Sequence, residues 1–138
     1  MALNSTKYFL KLMRRLIVAV DNTAAPGINV VTNSGTDPSR VYSLALTGDT
    51  SDRTIFIYHH DGTTYNPIWT GTLPTNTGIA ENIPAIDLIR ENRLTGLEVD
   101  DKGNFFFDLP SGHSIRIRST AAPTVCIFAM VLVRDFAA

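Results

Sequence analysis

The chain has 138 residues, 44% of them hydrophobic and 18% charged, with a formal net charge of −1. That length is one domain with enough interior to fold without staples. The charge excludes general nucleic-acid binding, which needs a basic face. The single cysteine, Cys126, excludes an intramolecular disulfide and fits a reducing compartment.

The elements follow in chain order. From Ser5 to Arg15 the apolar residues Tyr8, Phe9, Leu12, Met13 and Leu16 fall on one helical face, and Lys7, Lys11, Arg14 and Arg15 lie mostly on the other. This predicts a basic amphipathic arm over residues 1–15, capped by Asn4 or Ser5, ahead of a β domain over 16–138. Strands are expected over Arg15–Asp21, Ile28–Thr32, Arg40–Thr47, Arg53–His60 and Tyr65–Leu73, separated by Ala-Pro-Gly, Asp-Pro and Asp-Gly turns. In the third of these, Tyr42, Leu44 and Leu46 are expected on the core side. Pro67 marks the fifth as bulged or as an edge.

A short helix is expected near 84–93, with Asn82 as its cap, Pro84 in its first turn and Ala85, Leu88 and Ile89 on its apolar face. A hairpin follows: Phe105–Leu109, a Pro110-Ser111-Gly112 turn, and a strand in which Ile115 and Ile117 alternate with an outer row of Arg116 and Arg118. The final strand, Thr124–Phe136, is nearly all apolar and is expected to be central and covered on both faces. The sum is an all-β, antiparallel, jelly-roll-like β-sandwich of about eight strands. The apolar runs Leu16–Val20 and Thr124–Val133 are too short for a membrane span or a signal-peptide core. Asn4-Ser5-Thr6 matches the glycosylation sequon without other signs of secretion.

The chemistry-bearing residues assemble into no motif. His59 and His60 are adjacent on a strand, so they point to opposite faces and do not chelate one ion. His113 is far from them in sequence. Asp49, Asp52, Asp61, Asp100 and Asp101 lie in turns, where carboxylates bond nearby backbone, and they lack the spacing of a calcium loop. Cys126 sits in an apolar strand, where a thiol is inert. No nucleophile elbow or phosphate loop is present. The expectation is a non-enzyme without metal or cofactor.

A resemblance adds to this reading. Thr32-Asn33-Ser34-Gly35 followed by Arg40-Val41-Tyr42-Ser43-Leu44 is one part of it. The others are Arg53–Tyr58 with Asp61-Gly62, then Ile83-Pro84-Ala85-Ile86-Asp87-Leu88, then Asp101-Lys102-Gly103-Asn104 through Leu109-Pro110-Ser111-Gly112-His113-Ser114-Ile115-Arg116. In this order they resemble small virion structural proteins of tailed bacteriophages. The resemblance implies a β-sandwich that coats the capsid or builds the neck or tail, as an oligomer, with no catalytic residues. The implied role is a capsid decoration protein on the major capsid protein, in a virion assembled in the host cytoplasm. A neck or tail component is the alternative, and a carbohydrate-binding sandwich using Tyr65 and Trp69 a further one. A metal enzyme on a cupin-like jelly roll ranks below these.

Unpaired sheet edges call for a partner, here a homo-oligomer, with a trimer favoured. The expected contact residues are Tyr8, Phe9, Leu12, Met13, Arg14 and Arg15 of the arm, Tyr65 and Trp69 of the fifth strand, and the arginine row Arg116 and Arg118. Direct nucleic-acid and membrane contacts are not expected.

Overall fold

The structure, a computed structural model, describes residues 13–125 and 127–135. Alternating β-branched, aromatic and polar residues set its strands. In chain order these are β1 (Met13–Ala19), β2 (Ile28–Thr32), β3 (Ser39–Leu46), β4 (Arg53–His60), β5 (Tyr65–Leu73), β6 (Ile86–Asp87), β7 (Glu98–Val99), β8 (Phe105–Leu109), β9 (Ser114–Ser119) and β10 (Phe128–Asp135). They form two antiparallel sheets. The six-stranded sheet runs β1-β10-β3-β8-β7, with β6 also on β3, and the four-stranded sheet runs β2-β9-β4-β5. Both sheets contribute to one hydrophobic cluster: Ile55, Ile57, Ile115 and Ile117 from the smaller, Val41, Leu44, Val131 and Val133 from the larger. Among the described residues no helix is long and apolar enough to cross a membrane.

Three bulges set which side chains face out. Leu132 pairs with Ser43 and Val133 with Val41, so Tyr42 is the extra residue of β3. A bulge shifts the alternation by one. Val41, Leu44 and Leu46 are therefore fully buried and Tyr42 is turned outward, which corrects the expectation that Tyr42 shares the core side with Leu44 and Leu46. In β5, Ile57 pairs with Trp69 and Tyr58 with Pro67, leaving Ile68 as the extra residue. In β2 the extra residue is Val30, so both Val30 and Val31 are buried.

The expected helix near 84–93 is not formed. Ile86 and Asp87 instead pair with Leu46 and Ala45 of β3. Asp87 then organises a run of turns. Its Oδ1 accepts the N–H groups of Leu44, Ile89 and Arg90, and its Oδ2 accepts the Ser43 hydroxyl. Leu88 donates to the Leu44 carbonyl, and Leu88 and Ile89 are both fully buried. Burying two adjacent side chains against the sheet outweighs a marginal helical preference.

Among the described residues the N-terminal helix is also not seen. Met13, Arg14 and Arg15 belong to β1, where the alternation of exposed and half-buried residues has period two, and Tyr8, Phe9 and Leu12 lie outside the described residues. The final strand is internal to its sheet, between β1 and β3, as expected. It is not covered on both faces: Ala129, Val131 and Val133 are buried, while Phe128 is exposed and Met130 and Leu132 half-exposed. Its unbroken apolar run reflects an outer face that is itself apolar.

Candidate functional site

The four-stranded sheet carries an aromatic and arginine plate on its outer face. In β4, Ile55 and Ile57 point into the core, so period two turns Phe56 and Tyr58 to the other face, where Phe56 is half-buried and Tyr58, 5% exposed, is covered by its neighbours. In β9, Ile115 and Ile117 do the same and turn Arg116 and Arg118 outward. Register places Phe56 opposite Arg118 and Tyr58 opposite Arg116. The Arg118 guanidinium lies 4.2 Å over the Phe56 ring, and its Nε donates to the Tyr58 hydroxyl at 2.9 Å. Phe56 and Tyr58 stack with centroids 6.3 Å apart, and Tyr65 of β5 meets Tyr58 edge-on at 5.1 Å. Cation–π and edge-to-face geometry hold these side chains as one surface.

The loop between β1 and β2 backs the plate. Arg116 Nη1 donates to the Gly27 carbonyl and Arg118 Nη1 to the Thr23 carbonyl, each at 3.2 Å. Gly27 has φ +89°, and a Cβ there would sit 2.3 Å from the Ile117 carbonyl oxygen, so the loop can press onto β9 only with glycine. Among the described residues neither arginine pairs with a carboxylate, and the buried Nε of Arg116 has no acceptor. The plate is therefore a cationic surface whose charge is not neutralised from within, mounted on a rigid aromatic bed.

Other expected contact residues are distributed differently. Tyr65 is on the plate, 43% exposed. Trp69 is not. The bulge at Ile68 puts it on the inner side with Gly71 and Leu73, half-buried against the core. The two aromatics thus occupy opposite faces and form no common stacking platform. Arg14 is engaged within the chain, its Nε 2.5 Å from Asp135 Oδ2 and its Nη2 3.1 Å from Oδ1. Met13 and Arg15 are exposed on the other sheet. Sequence reasoning did not single out Phe56 and Tyr58, the first half-buried on the plate face and the second buried beneath its neighbours. Their i, i+2 spacing matches that of Arg116 and Arg118, but only the β4–β9 register brings the two pairs together.

The histidines and the turn carboxylates Asp49, Asp52, Asp61 and Asp100 have structural partners. His59 Nε2 and His113 Nδ1 face each other at 2.8 Å, one ring donating and the other accepting, and His59 meets Phe107 edge-on. That separation is too short to hold a metal ion between the two nitrogens. Burial first, and the neighbouring His113 second, push the His59 pKa below its usual value against the pull of Asp61. His60 Nδ1 accepts the Gly62 N–H. The N–H of Thr64, then that of Thr63, hold the Asp61 carboxyl down to about 2. The Thr75 hydroxyl and N–H similarly lower Asp52. Among the described residues no three His, Cys, Asp or Glu side chains converge as a metal site. Cys126 lies outside the described residues.

Compared with known proteins, the chain matches no family model, no curated protein and no solved structure.

Proposed function

We propose that the chain is a structural virion protein of a tailed bacteriophage, a capsid decoration protein that docks on the shell through the plate of Phe56, Tyr65, Arg116 and Arg118, seated on the buried Tyr58. The observation that carries this reading is the pair of arginines without internal carboxylate partners, laid on ordered aromatics. Arginine and tyrosine in such settings dominate protein interfaces, because they combine a large rigid contact area with directional donors. The occupant is an acidic protein surface, the major capsid protein in this reading. The protein acts as a homo-oligomer, a trimer on the lattice.

The strand orders support the same reading. We infer that the two sheets pack as a jelly-roll sandwich. The chain crosses repeatedly between the sheets, and the two four-strand paths β1-β10-β3-β8 and β2-β9-β4-β5 follow the double Greek key. That architecture serves viral shells, but lectins and cupins also use it, so the fold is support by analogy only. The phage resemblance in the turns at Asp61-Gly62, Asp101–Asn104 and Pro110–Gly112 points to the first of these. The separation of Tyr65 from Trp69 weighs against the sugar-stacking alternative.

Quantitative mass spectrometry of density-banded particles, from cells producing this protein, tests the proposal. The expected result is many copies per particle in fixed ratio to the major capsid protein. Absence from the particles overturns the virion role. A few copies per particle would instead place the protein at the neck or tail.

A further inference from the structure

We propose that a second site, on the outer face of the six-stranded sheet, binds a small organic oxyanion, meaning a phosphate or carboxylate joined to a ring. The site is a cleft of about 560 Å³. That volume exceeds a bare ion and suits an organic ligand. The floor is Leu132 of β10 with Met13 of β1, and Tyr42 and Phe105 form aromatic walls. Tyr42 is available there only because the β3 bulge turns it outward.

Three cations reach this one cleft from three separate elements: Arg134 from β10, Lys102 from the β7–β8 turn and Arg90 from the turns after β6. Among the described residues the only carboxylate in the lining, Asp100, is occupied by its own turn. Its Oδ1 accepts the N–H groups of Lys102 and Asn104, each at 2.9 Å, and its Oδ2 accepts the Tyr42 hydroxyl at 3.2 Å. Among the described residues Lys102 and Arg134 form no ion pair. Arg134 instead sets its Nε against the Met13 sulfur at 3.3 Å, a weak acceptor, with its guanidinium 5.9 Å from the Tyr42 ring. Among the described residues the Arg90 guanidinium has only a long 3.7 Å contact to Asp87, and it is largely exposed. Donors without strong acceptors, converging beside flat rings, match a ligand that offers an anionic oxygen group next to a ring.

The experiment uses the full-length, ¹⁵N-labelled protein titrated by NMR with four probes: adenosine monophosphate, adenosine, a glucuronic-acid disaccharide and maltose. At least one charged probe is expected to shift the Lys102, Gly103 and Asn104 amides saturably, with its neutral counterpart shifting them far less. Binding is expected to weaken about tenfold on Lys102→Ala and on Arg134→Ala, and to weaken with added salt. Both side chains lie on the surface, and an otherwise unchanged amide spectrum verifies the fold of each variant. Response to the monophosphate alone identifies phosphate chemistry, and response to the glucuronide alone identifies carboxylate chemistry. No saturable shift from either charged probe overturns the proposal. Equal shifts from the neutral probes, or undiminished binding by both variants, overturn it as well.

Discussion

Asp49 is the residue on which one end of the molecule turns. It is fully buried, and its carboxylate accepts the N–H groups of Thr50, Thr124 and Val125 and the Arg53 Nε, all at 2.8 Å. It thereby joins the loop after β3, the first residue of β4 and the loop before β10. Desolvation pushes its pKa up, but the three N–H donors and Arg53 outweigh that and hold the carboxyl well below the usual range. Asp49→Ala would strand these donors, so thermal denaturation should show a melting temperature lower by about 10 °C. His59 works in the opposite part of the pH scale. Its pKa is lowered on folding, so the unfolded chain binds the proton more tightly. Its stability contribution is complete above the unfolded value near 6.5 and is lost as pH falls toward the folded value. Denaturant melts from pH 7.5 to 5 should show falling stability in the wild type. In His59→Gln that slope should flatten. An equal slope in both proteins would mean that other groups carry it.

At the scale of elements, the loop between β1 and β2 is held by one backbone conformation. Gly27→Ala places a Cβ against the Ile117 carbonyl at a positive φ, and should cost about 2 to 4 kcal/mol in denaturant unfolding. The same substitution should loosen the acceptor that Arg116 uses. Strands β2, β4 and β5 have the bounds that their residues predict, since Ile, Val, Phe and Tyr runs between Gly, Pro and Asp turns leave little choice. The helix near 84–93 was not legible because its competitor is tertiary. Asp87 satisfies turn amides, and Leu88 and Ile89 gain complete burial against β3. Of the arm pattern only the residues from Met13 onward are described, and there the competitor is again tertiary. Met13 and Leu16 satisfy a helical period, yet β10 supplies Arg134 and Val131 as strand partners. The arginine row of the candidate site was legible from period two alone. The position of Trp69 was not, because a single bulged residue at Ile68 reverses which face it takes.

At the scale of the whole molecule, the two sheets present outer faces of different character. The smaller sheet shows arginine on ordered aromatics, and the larger shows Met13, Ile17 and Phe128 beside the cationic cleft, with Ile17 65% exposed. Docking through the smaller sheet predicts that Tyr65→Ala, at an exposed ring, lowers particle binding about tenfold or more in a co-sedimentation assay, while the melting temperature stays near the wild-type value; adding Arg116→Gln should lower binding further and also costs the bond to the Gly27 carbonyl. Adding salt should weaken the wild-type interaction, since the plate contributes charge as well as area. Hydroxyl-radical footprinting of the protein, free and on purified particles, tests the docking face most directly. Tyr65 and Phe56 are expected to become protected on the particle while Met13 and Ile17 stay reactive. Protection of Met13 and Ile17 with Tyr65 and Phe56 unchanged would contradict it.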